Sequence, residues 1–140
     1  MVIADTGIKG ATKEAIIAVK HELDTNHSTA LSHINHLGKL VNLAKDYLSN
    51  NEAMSLGIAL NSAQNDLAAL NVSDEHLDRL IAAANHNGAL GAKLTGGGRG
   101  GCMFAITRTA LGARKLAGIL KDNGAKQVWL QPLGDTEETN

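Results

Sequence analysis

Residues 94–102 read LTGGGRGGC, so five of the six positions from 96 to 101 are glycine. Glycine loses more backbone freedom on folding than any other residue and gives a core no side chain to bury. A chain that places five of its fifteen glycines in six consecutive positions is building neither a helix nor a strand there. The next six residues are CMFAIT, Cys102 to Thr107, which read as a buried strand. On the other side of the glycines stands Lys93-Leu94-Thr95, short and extended in character. The glycines therefore join two strands, and the pair is expected to form an antiparallel hairpin.

Gly96-Gly97-Gly98-Arg99-Gly100-Gly101 contains the letters G-x-G-x-x-G. The dinucleotide-binding fingerprint of that form needs a helix directly after the loop, and here a strand comes next. A Walker A loop needs Gly-Lys-Ser/Thr, which is absent from the sequence. The protein-kinase glycine loop does lie between strands, but its companion signatures are missing from these 140 residues. The physical chemistry of the run outlasts these exclusions. Successive backbone N–H groups without a Cβ in the way can form a concave nest for an anion. Phosphoryl groups need several donors at close range. Arg99 at the loop tip adds a charged donor and Thr95 a hydroxyl, so residues 95–101 are the candidate phosphate loop. The competing reading is a plain hairpin turn, which seldom needs five glycines.

The rest of the chain places this hairpin in a fold. Val2–Asp5 reads as a strand that exits through Asp5-Thr6-Gly7. Thr12–Glu22 has helical spacing, with Thr12 a candidate N-cap. HELDTNHST is polar and commits to nothing. From Ser28 to Leu48 the apolar positions Leu31, Ile34, Leu37, Val41, Ala44 and Leu48 make one helix face. Leu56, Leu60, Ala63, Leu67 and Leu70 repeat the pattern. Ser73 is the expected cap of a further helix with Leu77, Leu80, Ile81 and Ala84 inward. After the hairpin, Ala110–Asn123 reads as a helix closed by Gly124, and Gln127–Gln131 as a last strand stopped by Pro132. Strand, helices, strand, glycine loop, strand, helix, strand is an α+β order. It fits a ferredoxin-like split βαβ arrangement, a four-stranded antiparallel sheet with helices on one face. One domain, ordered over about 2–132 with a frayed tail at 133–140, is expected. Val2–Ala4 is the candidate open edge for self-association.

Composition narrows the function. Net charge is −1 and aromatic residues are 2%, which offers neither a basic field nor stacking platforms for nucleic acid. No run approaches a membrane span, and the start has the form of no signal peptide. A single cysteine, Cys102, excludes an internal disulfide and suits a reducing, cytoplasmic setting. With no histidine–acid arrangement near it in sequence, Cys102 reads as a small core residue. His33 and His36 share a helix face but lack further ligands, so no metal site is expected. His86 suits a helix C-terminus; for Lys93 the two readings are a reach to phosphate and, more common for a strand lysine, a solvated side chain.

GALGAKLTGGGRGGC at 88–102 resembles the third motif of the mevalonate kinases, members of the GHMP small-molecule kinase superfamily. ADTGIKGATKEAI at 4–16 resembles the stretch that opens their C-terminal half, and LNSAQNDLAALNVSDEHLDRLI at 60–81 precedes the motif as it does in that family. The resemblance covers residues 2–131. It implies a C-terminal domain with a ferredoxin-like sheet, within an enzyme that transfers the γ-phosphoryl of ATP to the 5-hydroxyl of mevalonate with Mg²⁺. It puts Gly96, Gly97 and Gly98 beside the transferring phosphoryl and Thr12 near substrate, with Asp5, Thr6 and Gly7 in the preceding turn. The family's P-x-x-x-G-L-G-S-S-A motif, its catalytic base and its Mg²⁺-binding carboxylate have no match here. The resemblance therefore implies an N-terminal kinase domain as partner; a homodimer is a separate expectation, from apolar surface or a strand edge exposed in the absence of that domain. The resemblance assigns no catalytic residue to this chain. Arg99 stands where the family often has a small or apolar residue, so its phosphate contact is not implied by the resemblance. Two other readings stay open: a stand-alone phosphate- or nucleotide-sensing module, and a kinase of the same superfamily acting on phosphomevalonate or another small alcohol.

Overall fold

A computed structural model describes residues 1–132; the expectation of a frayed tail at 133–140 falls outside the described residues. The elements in chain order are β1 (Val2–Asp5), α1 (Thr12–Thr25), α2 (His27–Ser49), α3 (Ala53–Ala69), α4 (Glu75–His86), β2 (Ala89–Thr95), β3 (Cys102–Thr107), α5 (Ala110–Asp122) and β4 (Gln127–Leu130). The four strands form one antiparallel sheet in the order β2-β3-β1-β4. This is the ferredoxin-like order: each helical crossover joins strands two places apart, and the strand between them runs opposite. The glycine run joins β2 and β3 as a hairpin.

β1 is the centre of this sheet. Ile3 pairs with Phe104 on one side and Trp129 on the other, so Val2–Ala4 is not the open edge expected from the sequence. A short apolar strand paired on both flanks and buried at Val2 and Ala4 has no free backbone to offer a second copy. The edges among the described strands are β2 and β4.

Alternation along the strands divides the core. Val2, Ala4, Ala92, Leu94, Met103 and Ala105 face α4 and α5, where Leu77, Leu80, Leu116 and Leu120 complete the main cluster. Lys93, Phe104, Ile3 and Trp129 form a register row on the opposite face. The two helices of the split βαβ pattern thus share one face, while the α2–α3 hairpin reaches the other from the β2 edge. There Leu56 and Leu60 pack on Ile106.

α3 closes the open edge of β2. Gly57 of α3 meets Gly91 of β2 so closely that a Cβ on Gly91 would lie 2.1 Å from the Gly57 carbonyl oxygen. The strand register is irregular between Ala89 and Gly91. One turn on, Asn61 Oδ1 accepts from Ala92 N–H at 3.0 Å and Gln64 Oε1 accepts from Leu94 N–H at 2.9 Å. Two side chains at i and i+3 thereby substitute for a fifth strand.

Three local readings change. The polar stretch HELDTNHST is helical except at Asn26, where α1 gives way to α2. β2 starts at Ala89, not Lys93. Asp74, not Ser73, caps α4, accepting from Leu77 N–H at 2.9 Å; the Ser73 hydroxyl donates to Asp78 instead.

Gly91→Ala is expected to cost about 1–3 kcal/mol through overpacking against the α3 backbone. It should appear as a lower urea midpoint at unchanged slope. Gly118→Ala, on α5 with nothing within 4 Å of its added Cβ, should stabilise by about 0.5–1 kcal/mol. Equal midpoints for the two variants would show that the helix–strand contact is not tight.

Candidate functional site

The glycine loop is pinned from behind by two other segments. From the β1–α1 connection, Thr6 N–H and the Thr6 hydroxyl both donate to the Gly101 carbonyl, at 3.0 and 2.8 Å. Gly101 N–H donates to the Ile8 carbonyl at 2.8 Å and Ala11 N–H to the Gly98 carbonyl at 3.3 Å. From the α3–α4 connection, the Val72 carbonyl accepts from Arg99 N–H at 2.8 Å. Loop and connections meet almost backbone to backbone: a Cβ on Gly98 would lie 2.2 Å from the Val72 carbonyl oxygen.

Gly98 and Gly100 are buried by this packing, whereas Thr95, Gly96 and Gly97 are exposed. Among the described residues, the N–H groups of Gly97, Gly98 and Gly100 donate to no other group. Thr12 stands against the exposed part. A Cβ on Gly97 would lie 2.2 Å from Thr12 Oγ1. Thr12 is the first residue of α1, behind Ala11 at the N-cap, and its side chain makes no capping bond. Thr12 is therefore not the helix cap expected from the sequence; its hydroxyl stands against the loop. A groove of about 400 Å³ continues from Thr12 and Gly97 along Ile16, Val19 and Leu23.

The sequence-predicted site residues thus gather in one place, with different tasks. Asp5 Oδ1 accepts from Gly7 N–H at 2.9 Å and the buried Thr6 hydroxyl accepts from Ile8 N–H at 3.1 Å. Both brace the turn that clasps the loop. Arg99 Nε donates to the Asn71 carbonyl at 2.9 Å, turning the side chain toward the α3–α4 connection. Cys102 sits opposite Asp5 in the sheet; partial burial and the Asp5 charge push its thiol pKa up, the reverse of what a nucleophile needs.

Lys93 is not the solvated strand lysine expected. Its side chain lies on the second sheet face, 5.6 Å from the Phe104 ring centroid, and its ammonium donates to the Leu94 carbonyl at 2.7 Å. Burial lowers its pKa. It borders an apolar cleft of about 500 Å³ between that face and the α2–α3 hairpin. His33 and His36 do share a helix face, and there they meet Asp66 of α3. Their Nδ1 atoms lie 2.7 and 2.5 Å from its two carboxylate oxygens. Asp66 is buried, and this clasp joins α2 to α3. Sequence reasoning misses it, although an aspartate one place before Leu67 of the apolar stripe is the available signal. Val72 and Asn71, which back the loop, carry no sequence signal at all.

Among the described residues, no group of three or more His, Cys, Asp or Glu could hold a metal ion, and no helix is long and apolar enough to cross a membrane.

Residues 40–126 match the sequence profile of the family described as GHMP kinases C terminal. The mevalonate kinase of Pyrococcus furiosus is 37% identical over 111 residues, covering 76% of this chain and 33% of the relative. That of Thermococcus onnurineus is 39% identical with the same coverage. The chain thus spans about a third of the length of these relatives. The crystal structure of L. major mevalonate kinase in complex with R-mevalonate superposes with a TM-score of 0.84 at 25% identity, covering 91% of this chain and 40% of that one.

The raised thiol pKa predicts slow alkylation of Cys102 by iodoacetamide at pH 8 relative to a free thiol, because less thiolate is present. Asp5→Asn removes the charge and keeps an acceptor for Gly7. It should lower the Cys102 pKa and speed alkylation; an unchanged or slower rate would show that the Asp5 carboxylate does not act on the thiol.

Proposed function

The chain belongs to the GHMP kinase C-terminal family, and from that premise we propose that it is the carboxy-terminal domain of an ATP-dependent mevalonate kinase. The complete enzyme would transfer the γ-phosphoryl of ATP to the 5-hydroxyl of mevalonate. The observation that carries this reading is the pinned loop with unpartnered, exposed glycine backbone set against the Thr12 hydroxyl. The names of the relatives support the choice of substrate.

The roles divide as the geometry divides. Gly96 and Gly97, with the hydroxyls of Thr95 and Thr12, face the phosphoryl group and supply neutral donors to its equatorial oxygens. Donors held in place before the reaction stabilise developing charge without reorganising. Gly98, Arg99, Gly100 and Gly101 hold the loop, and Asp5, Thr6 and Gly7 hold its clasp. The loop has backbone donors suited to ATP phosphates. Mg²⁺, which neutralises phosphate charge when bound, finds no carboxylate cluster among the described residues. Its ligands would come from ATP and an N-terminal kinase domain, which would also carry the base that takes the hydroxyl proton. A single free cysteine suits the cytoplasm, where thiols stay reduced. A homodimer is a secondary reading of exposed apolar side chains such as Val41 and Leu48.

The test is direct. Titration with ATP or inorganic triphosphate should shift the backbone amide resonances of Gly96 and Gly97 more than those of α5. Gly97→Asp should abolish that shift while keeping the helical circular dichroism, because its added Cβ displaces only the Thr12 side chain at the start of α1 and the added carboxylate repels phosphate. The 140-residue chain alone should turn over no mevalonate, since loss of a general base typically costs about 10²–10⁴-fold and loss of closure adds to it. Triphosphate binding undiminished in Gly97→Asp would remove the loop from the mechanism. Turnover by the isolated chain would require a base within it, with Asp5, Glu22 and Asp24 the first to replace.

A further inference from the structure

Arg99 stands at the tip of the glycine loop, and its surroundings give it an occupation other than binding phosphate. Its backbone lies in the left-handed region at φ 52°, and Asn71, across from it, lies there too at φ 64°. Non-glycine residues persist in that region only where their neighbours over-determine them. Here the two determine each other. Arg99 N–H donates to the Val72 carbonyl at 2.8 Å, and Arg99 Nε donates to the Asn71 carbonyl at 2.9 Å. Backbone and side chain of one residue thus grip two successive carbonyls. The gripped segment is held in turn. Asn71 Nδ2 donates to Glu22 Oε1 at 2.7 Å, and Asn26 Nδ2 donates to Glu22 Oε2 at 3.2 Å. Glu22 lies ten residues along α1 from Thr12, about 15 Å at the rise of an α-helix, so it is far from any phosphate seated at Gly97.

We propose that Arg99 is a positioning residue and Glu22 its remote anchor: the guanidinium braces the glycine loop against Asn71 and Val72, and the Glu22 carboxylate fixes that wall through the Asn71 side chain. α1 then holds the loop from both ends, through Ala11 and Thr12 at its start and through Glu22 in its last turns. The brace matters because Gly98 rests on the Val72 carbonyl. A shift of that wall moves the adjoining Gly96 and Gly97, which are exposed. The functional meaning rests on the phosphate-loop reading above; the brace itself does not, and it can be measured without a ligand.

Native-state hydrogen exchange on the chain reads it directly. Glu22→Ala and Arg99→Ala should each speed exchange of the Gly101 amide by about 3–10-fold, the size expected from losing one solvent-exposed hydrogen bond of ordinary net strength. In Glu22→Ala the Arg99 amide should accelerate alongside. Amides of α4 and α5 should not change. Glu22→Gln keeps the acceptor oxygen and should restore slow exchange. Arg99→Lys, which lacks the planar Nε–H, should behave like Arg99→Ala. The proposal is overturned if Glu22→Ala leaves the Arg99 and Gly101 amides at their wild-type rates, or if Arg99→Lys matches wild type. Triphosphate titration separates this from the functional reading. A brace predicts a few-fold weaker binding in both Arg99→Ala and Glu22→Ala, with an unchanged dependence on salt. Weakening in Arg99→Ala alone, with a shallower salt dependence, would mark a direct phosphate ligand and overturn the brace. If the wild-type chain binds no triphosphate, the phosphate reading fails and the exchange result still decides the brace.

Discussion

The contact between Gly57 and Gly91 sets the distance on which much of this molecule depends. Without a Cβ on either residue, a helix can lie against a strand at backbone range. Only at that range do Asn61 and Gln64 reach the N–H groups of Ala92 and Leu94. A side chain one methylene too distant would leave those N–H groups unpaired beside a buried strand, which costs about 1–3 kcal/mol each. The arrangement fixes β2 from outside the sheet. β2 carries the glycine loop, so the same helix settles where the loop begins. α2 is fastened to α3 in turn by the His33–Asp66–His36 clasp.

The candidate site combines closeness with openness. Gly98 and Gly100 are spent on packing against the Val72, Ile8 and Lys9 carbonyls, while Gly96 and Gly97 stay at the surface. A run that reads in sequence as one uniform loop is two devices in space: a seam to the scaffold and a bare stretch of backbone. A loop rich in glycine can be rigid for this reason. Its freedom is removed by bonds from residues 6–11 and 72, which leaves the exposed stretch at 95–97 anchored on a fixed base.

Much of the fold is legible in the sequence because the strongest signals are local. The leucine stripes mark α2, α3 and α4, and CMFAIT after the glycines marks the hairpin. The split βαβ order then constrains the sheet. The misreadings have a common cause in tertiary structure. Val2–Ala4 looks like an edge because nothing in four residues reveals partners about 100 residues away. Lys93 looks solvated because strand alternation does not say that a helical hairpin covers the second face. Ser73 and Asp74 are both good caps, and Asp74 takes the role while Ser73 bonds Asp78. Thr12 and Gly97 each stand out in the sequence, but their contact depends on a clasp between Thr6 and Gly101 that no spacing rule encodes. Asn71 and Glu22 are ordinary surface residues until Arg99 is placed.

The position of β1 has a consequence for how such a chain is made. Val2–Asp5 is synthesised before every element it pairs with, and its partners, residues 102–105 and 127–130, come last. At roughly 5–20 residues per second this segment waits on the order of 5–20 s with both hydrogen-bonding flanks unfilled. The helices α1 to α4 are local and can form in that interval; the sheet cannot close. The loop clasp, which joins Thr6 to Gly101, belongs to that late closure. A chain interrupted before Gly101 therefore carries its helices without the clasp that sets the glycine loop, and its central strand stays unpaired.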